Sequence, residues 1–142
     1  MQNRHGLCLD IRVSSALETA AAVELLKRQC RKGRKPTSLG GDKGYHSHAF
    51  VDFLRRKAIR AHIAQIDGRN TPGLDARTTR HASYWVSQKK RKRVEEIFGW
   101  MKAYGGLRRT RFRGLARVQL HAYLVGAAYN LLRLSRLRTV PG

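Results

Sequence analysis

The 142 residues carry 30 Lys and Arg against 9 Asp and Glu, a formal charge of +21. Such a charge, spread along the whole chain, points to nucleic acid as the partner and argues against a detachable basic tail. A hydrophobic content of 42% excludes wholesale disorder, and two cysteines, Cys8 and Cys30, are too few for a disulfide framework or a cysteine zinc site.

No signal peptide opens the chain, and the most apolar run, Leu120 to Leu132, is too short and too interrupted to span a bilayer. No membrane partner is expected, and a bacterial cytoplasm, in association with the nucleoid, is the expected location. The length suits one domain or part of one.

In chain order, MQNRHG (1–6) reads as a turn containing Asn3 and Gly6. Leu7, Leu9, Ile11 and Val13 then alternate with polar or small residues, the period of a strand. Asp10 on that strand is read as lying on its wetter face, with a catalytic acid as the alternative. Ser14 or Ser15 can cap a helix to about Arg31, with Ala22, Val23, Leu26 and Cys30 inward.

A short strand at 37–39 leads into GGDKGY, which places Asp42 after two glycines at a strand end. Ligands gather at such ends in open α/β sheets, although an Asp there can simply shape the turn. Tyr45 is expected behind this loop, and His46 and His48 on the surface or as caps. A helix over 47–57 with Phe50, Phe53 and Leu54 inward, then a strand over 59–63, complete an α/β pattern with a mixed or parallel sheet. From 64 to about 83 the chain is polar and irregular.

KKRKRVEEIFGWMK (89–102) is an amphipathic helix with Val94, Ile97, Phe98 and Met101 as its apolar stripe. Glu95 borders that stripe between Arg91, four residues before, and Lys102, seven after; Glu96 lies about 100° further round, toward solvent. The helix alone admits two readings of Glu95, a structural ion pair and a catalytic or metal-binding carboxylate. Gly105 and Gly106 stop the helix. In LRRTRFRG (107–114), Arg108, Arg109, Arg111 and Arg113 surround Phe112, which suits phosphate contact and base stacking. A last helix over about 115–137 carries Val118, Leu124, Val125, Leu131 and Leu134 as core candidates.

LGGDKGYHSHAF, a long gap, and SQKKRKRVEEIFGWMKAYGGLRRTRFRG together resemble the carboxy-terminal part of a DDE-type insertion-sequence transposase of the IS-five and IS-four grouping. The resemblance covers nearly the whole chain. It implies a ribonuclease-H-like fold in which three acids hold two divalent ions, normally Mg2+ with Mn2+ as a substitute, for cleavage and strand transfer at phosphorus. Asp42 matches the second acid and Glu95 the third. The family signature places an Arg four residues before the Glu and a Lys seven after, which Arg91 and Lys102 satisfy; Glu96 would place Ala103 at the lysine position. The signature's Tyr, three before the Arg, is replaced by Gln88.

The first acid of that family lies on a strand upstream of a turn like MQNRHG, and Asp10 falls on what would be the third strand. The expectation is therefore a partial catalytic domain over 1–142, lacking its first strands, the first Asp and the DNA-binding segment. DNA-binding residues are expected at Arg91, Lys102, Arg108, Arg109, Arg111 and Arg113. Such a chain is expected to be inactive alone, to self-associate or to need a complementing transposase fragment. The alternative is a basic DNA-binding remnant without catalysis.

Overall fold

The computed structural model describes residues 1–2, 4–68 and 70–138, with the backbone alone at Arg77. Its elements are α1 (Glu18–Arg31), β1 (Ser38–Gly41), α2 (His48–Arg56), β2 (Arg60–Ile63), α3 (Ala76–Thr79), α4 (Ala82–Ala103) and α5 (Leu115–Arg138), with one-turn 3-10 helices at Lys43–Tyr45 and Leu107–Arg109. They form two compact units, Ala16–Arg91 and a second built from Met1–Ser15 with Lys92–Gly142. Helix α4 runs from one unit into the other.

In the first of these units β1 and β2 pair in parallel, Ser38 opposite Arg60 and Gly41 opposite Ile63, with α2 as the crossover. Ala61, His62 and Ile63 are all buried, so β2 lacks the alternation of a half-solvated strand and is covered on both faces. Phe50, Val51 and Leu54 of α2 pack there with Leu26 of α1, Ile59 and Leu74. Each such side chain contributes about 1.5–3 kcal/mol when fully buried. Phe53 is only half-buried at the margin of this core.

Ser47 caps α2 as its pattern requires, its Oγ accepting from the Phe50 N–H at 3.3 Å. The far end of α2 is closed by Ala58 at φ +50°, a left-handed position occupied by a residue with a Cβ. Helix α1 departs from expectation at its start: the cap position is Leu17, with no side-chain cap, and neither Ser14 nor Ser15 serves. The long polar stretch also holds more order than its composition suggests. Thr71 bridges Leu74, and the Gln65 side-chain amide donates to the Leu74 carbonyl at 2.6 Å.

The second unit corrects the expected opening strand. The turn forms, with Gly6 at φ +73° and the Gln2 N–H bonded to the Leu7 carbonyl at 2.8 Å; Asn3 lies outside the described residues. The following segment is extended yet belongs to no strand, because α5 side chains occupy its polar edge. Asn130 accepts from the Cys8 N–H and donates to the Cys8 carbonyl, both at 2.8 Å. Gln119 accepts from the Val13 N–H at 2.8 Å and donates to the Ile11 carbonyl at 3.1 Å. Two helix amides thus satisfy backbone groups that a neighbouring strand would otherwise pair.

Ile97 and Met101 of α4 pack with Val125 and Tyr129 of α5, and Met1, Cys8 and Ile11 cover them. Two expected core sets are corrected. Phe98 is exposed, and Trp100 takes its place at the core margin. On α5 the buried face is Ala122, Val125, Gly126 and Tyr129, while Leu124, Leu131 and Leu134 are exposed. That face packs closely: a Cβ on Gly126 would be in ordinary contact with Cys8 and Met101, and one on Gly105 would stand 2.3 Å from Val125 Cγ1.

Candidate functional site

Asp42 is exposed at the end of β1, where its backbone leaves the sheet. Its Oδ1 accepts the Gly44 N–H at 2.9 Å and so caps the Lys43–Tyr45 turn. The turn-shaping reading is therefore realised, and the carboxylate remains at the surface of a rigid loop. Gly41 is buried behind it, within van der Waals reach of Tyr45 and Ile63.

Glu18, in the first turn of α1, was not singled out from sequence, and it shares this corner. A Cβ on Gly44 would lie 3.1 Å from Asp42 Oδ1 and 3.7 Å from Glu18 Oε2, so both carboxylates converge beside that glycine. Burial pushes the Tyr45 hydroxyl pKa up, and the charges of Glu18 and Asp42 push it further. No spacing rule links positions 18 and 42; only the packing of α1 against the turn does.

His46 corrects its expected surface position. It is 1% exposed, and its Nδ1 accepts the Ile66 N–H at 2.8 Å, which ties the loop after β2 to the Asp42 turn. With Nδ1 accepting, the neutral ring carries its proton on Nε2. His48 is exposed at the start of α2.

The amino-terminal half of α4 is fastened to the sheet. Tyr84 donates its hydroxyl to the Ile63 carbonyl at 3.1 Å, and the Gln88 amide donates to the His62 carbonyl. Ser87 is buried against Gly40, where a Cβ would stand 2.9 Å from Ser87 Oγ. Gln88 thus binds the backbone of β2. Arg91, one turn further along, is half-buried with its Nε enclosed.

Glu95 and Glu96 are both exposed, on the part of α4 that belongs to the second unit. Glu96 is exposed, as its place on the helix led us to expect. It shares a small niche with Trp100, Tyr129, Arg133 and Arg136, where its charge adds to the effect of burial in raising the Tyr129 pKa. Glu95, about 100° round the helix, is outside that niche. Lys102 is exposed near the end of α4, and Arg108, Arg109, Arg111 and Arg113 are all exposed beyond it.

Asp42 belongs to one unit and Glu95 to the other, and within neither do three described His, Cys, Asp or Glu side chains gather as metal ligands do. The donors are nonetheless oxygen carboxylates, the set that hard divalent cations select.

A protein-family model described as a transposase DDE domain matches residues 2–131. The chain belongs to the transposase DDE-domain family. No curated protein and no solved structure matches the chain. Membership gives this DDE domain a role in DNA transposition, with DNA as its substrate, and such domains generally depend on divalent metal. The matched span includes the whole of the Ala16–Arg91 unit, the other unit as far as residue 131, and all of Asp42, Arg91, Glu95, Lys102 and the arginine cluster. Among the described residues no helix is long and apolar enough to cross a membrane.

Proposed function

We propose that this chain is the carboxy-terminal part of a bacterial insertion-sequence transposase of the IS-five and IS-four grouping, with a ribonuclease-H-like catalytic domain. On this reading Asp42 and Glu95 are two of three metal-binding acids, and Arg91, Lys102, Arg108, Arg109, Arg111 and Arg113 hold the DNA backbone. The observation that carries it is a family match running from residue 2 to 131 through both acidic motifs. A bound Mg2+ or Mn2+ pair supplies Lewis-acid activation of the attacking oxygen and neutralises charge at phosphorus.

The chain's own residues have separable tasks. The Gly44 N–H fixes one oxygen of Asp42, which sets the direction of the other. Tyr84 and Gln88 fix the register of α4 on β2, and that register determines which helix face presents Arg91. The exposed arginines neutralise phosphates, so affinity falls steeply with salt.

Asp42 and Glu95 are two of the family's three acids; an upstream strand or a complementing transposase fragment supplies the third, and self-association brings two DNA ends together. A non-catalytic DNA-binding remnant is the second reading, favoured by the absence of a three-ligand cluster within either unit among the described residues.

Nicking of supercoiled DNA with Mg2+ or Mn2+ separates the two, using this chain and one extended upstream to include a strand bearing the first Asp. The expected result is nicking by the extended chain, lost on Asp42→Asn or Glu95→Gln. Inactive extended chain with intact DNA binding would leave the remnant reading standing; nicking by the short chain that needs both acids would refute its predicted inactivity.

A further inference from the structure

Two aromatic side chains of the second unit sit where burial does not account for them, and a third borders its core. Tyr104 is 81% exposed at the end of α4, and Phe112 is 51% exposed in the arginine cluster. Trp100 is half-buried; its ring meets Tyr129 edge-on at 5.6 Å on one side and Tyr104 at 6.2 Å and 34° on the other. Trp100 and Tyr104 are thus neighbouring rings, tilted to each other at the end of α4.

The turn after Tyr104 is set by glycines. A Cβ on Gly105 would stand 2.3 Å from Val125 Cγ1 and 2.7 Å from the Met101 carbonyl oxygen, so the turn lies directly against α5. Gly106, at φ +68°, then reverses the chain beside His121, whose Cε1 is 3.9 Å from where its Cβ would be. His121 in turn meets the Phe112 ring at 5.0 Å and the Thr110 hydroxyl at 3.3 Å, and that hydroxyl accepts the Phe112 N–H at 3.3 Å. Tyr104 thus precedes, and Phe112 follows, the segment that Gly105 and Gly106 turn beside α5.

The ground around these rings is cationic. Arg108 and Arg109 follow the turn, and Arg111 and Arg113 flank Phe112, all four exposed. No acidic residue follows Glu96 in the sequence. A duplex offers its phosphates to such arginines but hides the faces of its bases. Unpaired DNA offers both, and an exposed ring beside a guanidinium is the pattern that stacks a base while the charge holds its phosphate.

We propose that Tyr104, with Trp100 behind it, and Phe112 form a stacking platform for unpaired DNA bases, so that this surface prefers single-stranded or locally opened DNA to intact duplex. The inference rests on the reading of the arginine cluster as DNA contact and adds the form of DNA it takes. Arg108 and Arg111 serve both forms; the rings serve only the unpaired one.

Fluorescence anisotropy with a 20-nucleotide dT strand and a blunt 20-base-pair duplex tests this, on the full chain and on Tyr104→Ala, Phe112→Ala, Tyr104→Phe and Phe112→Tyr. Each alanine variant is expected to weaken single-strand binding about 10-fold, the scale of one lost base stack, and to change duplex binding less than twofold. The Phe and Tyr exchanges retain wild-type affinity, because the ring and not the hydroxyl does the stacking. Trp100 emission, read in a Trp85→Phe background, is expected to quench with the dT strand only. Equal losses on both forms, or no loss on either while DNA still binds, would overturn the platform and leave the DNA reading intact. Failure of wild-type protein to bind either form would overturn both. Tyr104 and Phe112 are exposed, so circular dichroism should show the alanine variants folded.

Discussion

The amide clasp of Asn130 on Cys8 is the feature of this chain most open to a quantitative test. Asn130→Ala removes the partner of the Cys8 N–H and of the Cys8 carbonyl, both bonded at 2.8 Å and partly buried. A typical protein hydrogen bond contributes about 1 kcal/mol, and a group left without a partner costs about 1–3 kcal/mol when shielded from water. Water reaches part of this site, so the lower end applies to each group and the pair should cost about 2–3 kcal/mol. Asn130→Asp keeps an acceptor for the N–H but turns an oxygen toward the Cys8 carbonyl, and should cost as much. Urea unfolding, read by Trp100 fluorescence in a Trp85→Phe background, measures the loss in the unit that contains the clasp; Trp85 is exposed and dispensable as a probe. Amide exchange at Cys8 should accelerate in parallel. A loss below about 0.5 kcal/mol with unchanged Cys8 protection would show that the amides do not hold the segment, and that Met1, Cys8 and Ile11 hold it by apolar contact alone.

Other substitutions probe the joints around the acidic motifs. Gly40→Ala should destabilise the chain by about 1–3 kcal/mol through overpacking against Ser87, and adding Ser87→Ala should restore most of it in a thermal melt, because the Ser87 hydroxyl is buried without a hydrogen bond. Ala58→Gly should raise stability by about 1 kcal/mol by relieving the left-handed backbone at the end of α2; an unchanged or lower melting temperature would refute that strain. Burial, then the charges of Arg60 and His81, lower the His62 pKa from its ordinary 6.5, so the folded chain keeps this ring neutral where the unfolded chain protonates it. Its contribution to stability is present above pH 6.5 and is lost as pH falls from there through the folded value, and His62→Leu should flatten that part of a stability-against-pH curve.

Much of the architecture was legible in the residues. The Ser47 cap, the 3.6-residue period of α2 and the glycine stop at 105–106 are local signals, set by backbone sterics and by which end groups a short side chain can reach. The strand–helix–strand unit and the exposed Asp42 at the end of β1 followed from the same local patterns. The acidic motifs were legible too, as a spacing of Arg91, Glu95 and Lys102 along one helix, and the family match spans them.

What local pattern could not reveal is where nonlocal partners lie. Residues 7–13 alternate as a strand does, yet alternation says only that a segment is extended; Asn130 and Gln119, more than a hundred positions away, took the hydrogen bonds a strand would have given its neighbour. His46 looked like a surface group until the Ile66 N–H required an acceptor, and Glu18 had no reason to join Asp42 before α1 packed on the turn. On α5, where leucines occur all round, hydrophobicity could not choose the inward face. The buried face carries Ala122, Val125, Gly126 and Tyr129 and fits tightest where Val125 meets Gly105, because close packing is a property of two surfaces together and is written in neither alone.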